Sequence, residues 1–320
     1  MSLDPAALPL LLAGPILRRV EADLVCVWIA TSERCDVSLL LFEGADVAAS
    51  NGPTDDLRAG WQSAVQPTLQ CGAHLHVLAI TLDLRAPGGN ASRSSGTLKS
   101  DHAYSYDLHV FPQSDHVNPR NLGALGLLAG PVPLGFDPGE LPSFRTCPEE
   151  RDKLVIVHGS CRRMFNTAPL ADDPALDGPF PPPGGWPTDP PTPGTPVPDS
   201  GPVAFPDASF PTTPRRDGAL WIDALIDPRG ALPRIAARPH QLFLTGDQIY
   251  ADDVPEVLLP VLNALGRVLV GEEELPVDAV GSGFTPATLA TFPPAFRRDI
   301  SLRRAGMSTS DGDSHLLTFG

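Results

Sequence analysis

Residues 241–254 read QLFLTGDQIYADDV. Leu242, Phe243 and Leu244 make an apolar run that stops, one threonine later, at Gly246, the pattern of a buried strand ended by a glycine turn. Asp247 then stands at the carboxyl end of a core strand. Ligands of open α/β sheets gather in the crevice at that end, and a carboxylate placed there suits a metal ion. The plainer alternative is a helix N-cap, because Pro255 and the apolar residues Val257, Leu258, Leu259, Val261 and Leu262 suit a helix starting soon after. That alternative fits Asp252 or Asp253 better than Asp247.

A second strand of the same kind lies upstream. Leu154, Val155, Ile156 and Val157 are apolar and mostly β-branched, as in a sheet buried on both faces, and His158, Gly159, Ser160, Cys161, Arg162 and Arg163 follow. A thiol at a strand end beside two arginines is placed to ionise, and so to bind a metal or attack an electrophile. Gly-Ser-Cys is equally an ordinary strand-end turn around a small buried residue, and the residues alone leave the two readings even. Between the strands a helix is expected at 216–226, where Leu220, Trp221, Leu225 and Ile226 have helical spacing. Strand, helix, strand predicts a parallel pair with Cys161 and Asp247 at one sheet edge, their sulfur and carboxylate oxygen about 4–7 Å apart if they share a metal cluster.

Composition narrows the function classes. The 320 residues carry 23 Lys and Arg against 38 Asp and Glu, a net charge of −15, and no basic stripe interleaved with aromatics, which argues against nucleic-acid binding. The same field would repel a phosphoester unless a bound cation supplied local positive charge. Cys26, Cys35, Cys71, Cys147 and Cys161 are odd in number and form no CxxC pair, so no disulfide framework or zinc knuckle is expected. The apolar run at 6–17 is broken by Pro9, Gly14 and Pro15 and lacks a basic leader, so the expectation is a cytoplasmic protein without a membrane partner.

The N-terminal part reads as β structure. Strands are expected at 24–30, 37–42, 74–84 and 104–111, separated by turn-rich segments, which predicts an antiparallel β-sandwich over 1–112. In the last of them Tyr104, Tyr106, Leu108 and Val110 alternate with Ser105, Asp107 and His109, one buried face and one wet. His74 and His76 share strand spacing that could clamp a metal, but two histidines on a solvated face need no ligand. Residues 113–150, rich in Gly and Pro, are expected to cross between domains, and 151–320 to form the second. Within it, 178–214 has the composition of a Pro-rich disordered insertion.

The strings VHGSCRR at 157–163, PHQLFLTGDQIYADDV at 239–254 and the following LLP, LNALG and LVGEEELP resemble the bacterial and fungal branch of the PhoD-like metallophosphoesterases. The stretches LLLAGPILRRVEADLVCVWIAT at 10–31 and PLGFDPGELPSF at 133–144 are similar to the β domain that precedes the phosphatase domain there. The resemblance implies an α+β multidomain fold, an N-terminal antiparallel β-sandwich followed by part of an α/β metallophosphatase domain layered αββα. It implies hydrolysis of a small-molecule phosphoester by metal-activated water at a binuclear centre holding calcium, iron or both. By position, Asp247 would be the bridging carboxylate and Cys161 the thiolate ligand. Arg162 would contact phosphate or support a ligand, and His158, Gln248 and Tyr250 would be supporting groups.

Family members carry a second half with further His, Asp and Asn ligands, whereas here His315 is the only imidazole after Tyr250. The expectation is therefore that the 320-residue chain is incomplete, has little or no activity alone, and self-associates through an uncovered sheet edge. The other function class is a non-catalytic β-domain binding protein whose phosphatase half is vestigial.

Overall fold

The computed structural model describes residues 3–49, 59–85, 96–129, 133–160, 238–252, 254, 258–273, 297 and 315–317. The expected insertion at 178–214, the expected helix at 216–226, Cys161 and Arg162 lie outside the described residues.

Period-two apolar patterning builds two antiparallel sheets. The first has the order β1 (Leu11–Val20), β2 (Leu24–Thr31), β7 (His76–Asp83) and β6 (Leu69–Gln70). The second has the order β4 (Trp61–Gln62), β3 (Cys35–Glu43), β8 (Ala103–Pro112) and β9 (Ser143–Arg145), with β5 (Gln66–Pro67) also on β3. Val25, Val27 and Ile29 alternate along β2 and meet Leu82, Ile80 and Leu78 of β7 in register. They join Val37, Leu39 and Leu41 of β3 and Leu108 and Val110 of β8 in one buried cluster. The N-terminal half is thus β-rich and antiparallel, as its alternation predicts.

The face of β8 expected to be wet is buried. Ser105, Asp107 and His109 are all 3% exposed or less. Residues 120–129 and 133–142 cover them, bringing Leu122, Leu128 and Leu141 into the cluster. One carboxylate oxygen of Asp107 accepts the backbone N–H groups of Leu108 (2.8 Å) and Leu122 (3.0 Å), and Val110 bridges to Arg120. The stretch 113–150, expected as a crossing, therefore contributes both this cover and β9.

The outer strand β1 is irregular. Its pairing with β2 shifts register three times around Gly14, where φ is +90°, and Pro15. Bulges and proline interrupt an edge that could otherwise recruit another chain.

His76 is not on a solvated face. It is 7% exposed, and its Nδ1 has no partner among the described residues. Burial first, then the neighbouring charges of His74 and Arg34, lower its pKa below the ordinary imidazole value. The unfolded chain therefore takes up a proton before the folded one as pH falls. Stability from this group is complete above about pH 6.5 and is lost below it, by at most about 1.4 kcal/mol per pH unit. Urea titrations of the wild type and His76→Gln at pH 7.5 and 5.5 should show a steeper acid loss in the wild type. Equal slopes would remove the assignment.

Beyond the sheets, α1 (Leu259–Leu269) is the α-helix described over its whole length, Arg297 is also helical, and among the described residues no helix is long and apolar enough to cross a membrane. Its end is fastened to the turn between β6 and β7, where Ala73 N–H donates to Val270 O (3.2 Å) and His74 N–H to Leu269 O (2.8 Å). Gly72 permits that approach, because a Cβ there would sit 2.5 Å from the Leu269 oxygen.

Candidate functional site

β10 (Ile156–Ser160) and β11 (Gln241–Thr245) pair in parallel, with Ile156 opposite Gln241 and Ser160 opposite Thr245. The carboxyl ends of the two strands consequently meet at one edge. Gly246 then adopts φ +78°, a conformation cheap only for glycine, and turns the chain so that Asp247 follows directly on the strand end. Cys161, the residue after Ser160, is outside the described residues.

Asp247 is exposed and is not the cap of the helix that follows, for α1 begins at Leu259 with Leu258 as its N-cap and no side-chain capping bond. Gln248 is exposed and its Nε2 donates to Gly246 O (3.3 Å), folding the side chain back over the turn. Tyr250 is half-buried. His158 is exposed, and its Nε2 lies 2.6 Å from Thr245 Oγ1, a hydrogen bond across the paired strand ends. Thr245 escaped the sequence reading. Its signal is register alone: residues opposite in a parallel pair share a face, and Thr245 stands two residues beyond His158's partner Phe243.

The apolar strands are less buried than their composition predicts. Ile156 is 49% exposed, Phe243 47% and Leu244 46%. Parallel sheets are normally covered on both faces, and the two described strands cannot cover themselves.

What fixes the ribbon is its start. The side chain of His240 is buried, and its Nδ1 accepts the N–H of Val155 (3.0 Å). Nε2 therefore carries the proton and faces Asp101 Oδ1 (3.3 Å), which also pairs with Arg145 Nη2 (2.6 Å). Gln241 Nε2 contacts the Cys147 sulfur (3.5 Å). Arg238, 7% exposed, donates to the backbone and hydroxyl oxygens of Ser143 and stacks over Phe136 with its guanidinium carbon 4.4 Å from the ring centre. Burial lowers its pKa to about 10, and burial raises that of the neighbouring Tyr106. The start of the ribbon is thus registered by polar side chains against β9 and against Asp101 and Cys147, which flank β8 and β9.

Among the described residues, no three His, Cys, Asp or Glu side chains gather closely enough to hold a metal ion. Asp247 is a hard oxygen donor of the right kind, but Nε2 of His158 is already engaged by Thr245, so the described donors do not by themselves make a metal site. Comparison of the chain with family models, curated proteins and solved structures finds no match. The PhoD-like resemblance therefore stands on the motif residues alone.

Proposed function

We propose that the chain is a metal-dependent phosphoester hydrolase of PhoD-like type, or the N-terminal part of one, with residues from 151 onward contributing to a layered α/β phosphatase domain. The observation that carries the reading is the parallel pairing of β10 with β11, because it delivers the ends of the two motif strands to one edge. Asp247 and Cys161 would bind the ions, which supply the positive charge and activated water that phosphoryl transfer needs. The chain's net charge of −15 makes such cations necessary for an anionic substrate. Arg162 would contact phosphate oxygens, and His158, Gln248 and Tyr250 would support the turn.

The test is hydrolysis of a generic phosphodiester and phosphomonoester by the purified chain with added calcium, iron, manganese or zinc. Few donors predict weak turnover, and Asp247→Asn should lower it at least about 100-fold, the upper end of the loss for one supporting group. Turnover unaffected by Asp247→Asn or by chelator would overturn the reading.

A second reading has its own observation. The exposed apolar side chains of Ile156, Leu242, Phe243 and Leu244 suit a non-catalytic binding protein, or self-association through the ribbon's edge. Absence of both hydrolysis and metal binding, with a dimer in sedimentation, would favour it.

A further inference from the structure

The turn that carries Asp247 is held at its far end by a residue from a distant part of the chain. Ala251, four positions beyond Asp247, accepts the N–H of Leu316 at 2.7 Å. The carbonyl of His315, beside Leu316, accepts from Arg297 Nη1 at 2.7 Å, and Arg297 Nη2 donates to Asn263 Oδ1 on α1 at 3.3 Å. Arg297 is 2% exposed. A helix could be attached by apolar contact at lower cost, since burying a guanidinium forfeits its hydration. The planar fork of arginine does what an apolar side chain cannot, engaging two partners from separate segments in fixed geometry. Burial lowers its pKa from the usual guanidinium value, as for a charge held out of water. α1 is in turn fastened to the turn between β6 and β7 by Ala73 and His74.

We propose that Arg297 is a positioning residue for Asp247, bracing the end of its turn through residues 315–316 against α1, and through α1 against the first β sheet. The inference rests on the reading of Asp247 as a site residue. It makes the candidate site sensitive to the β6–β7 turn.

Hydrogen exchange and amide spectra of the full chain test this without requiring turnover. In Arg297→Met, protection of the Leu316 amide should fall about tenfold or more, the loss expected for one hydrogen bond, and the Asp247 amide resonance should move. Val27 and Ile80 amides, in the core of the first sheet, should stay within about twofold of wild type. Arg297→Lys, which keeps the charge but one prong, should fall between the two. Asn263→Ala, a milder cut, should reproduce the pattern if Arg297→Met fails to fold. Manganese affinity, measured calorimetrically, should weaken about tenfold in step with the Leu316 amide. Unchanged Leu316 protection overturns the proposal. So does a parallel loss at Val27 and Ile80, which would make Arg297 an ordinary core residue. A wild type that neither binds manganese nor hydrolyses phosphoesters, yet shows the Leu316 pattern, defeats the phosphoesterase reading while the brace on the turn stands.

Discussion

Replacing Asp107 by alanine should destabilise the β domain by about 3–5 kcal/mol, because two backbone N–H groups would be left buried without an acceptor at about 1–3 kcal/mol each. Its carboxylate receives Leu108 N–H and Leu122 N–H at 2.8 and 3.0 Å, and the residue is 3% exposed. Water cannot replace it while the cover of Leu122, Leu128 and Leu141 stays in place. The cover must therefore lift or the amides go unpaired. Asp107→Asn keeps an acceptor oxygen of the same reach and should lose only about 1–2 kcal/mol, the difference between a charged and a neutral acceptor. Urea unfolding with matched slopes measures both. A loss under about 0.5 kcal/mol for Asp107→Ala would mean that the cover is not fastened where the hydrogen bonds place it.

Leu39→Ala should cost about 3–4 kcal/mol, combining lost transfer energy with the cavity left behind. Leu39 is fully buried in the middle of β3, opposite Leu108, and belongs to the cluster shared by the two sheets. Pairing on both sides holds its backbone, so the site has little freedom to collapse. Leu39→Met should cost under about 1.5 kcal/mol, since volume is kept. Ile16→Ala on β1, at 45% exposure, provides the contrast and should change stability by about 1 kcal/mol or less. Comparable losses at Leu39 and Ile16 would contradict the shared core.

How far the chain was legible follows from the range of the forces involved. Four strands expected at 24–30, 37–42, 74–84 and 104–111 correspond to β2, β3, β7 and β8, because alternation over eight or more residues is a local signal. β1 was not legible. Gly14 and Pro15 break its pattern, and an edge strand tolerates what a central strand could not. The wet face assigned to Ser105, Asp107 and His109 failed because its cover comes from residues 120–129 and 133–142, and nothing in the period of β8 reports what another segment lays over it. At the candidate site, the parallel direction was expected from the strand, helix, strand order, and the placing of Asp247 after a glycine turn was readable from QLFLTGD. The contact of His158 with Thr245 and the bridge through Arg297 were not, since each joins residues whose nearness exists only after folding.

The pairing of β10 with β11 also sets an order in time. Both sheets already join distant strands at their centres, β2 with β7 and β3 with β8, and His158 and Thr245 meet across a still longer separation of 87 residues. Closing a loop of that length costs about 4 kcal/mol of chain entropy before any contact repays it. On the ribosome β2, β3, β7 and β8 are all made long before residue 241 is, so the β domain can be complete while β10 still waits for its partner. Asp247 is then the last of these pieces to arrive, on a scaffold already built to receive it.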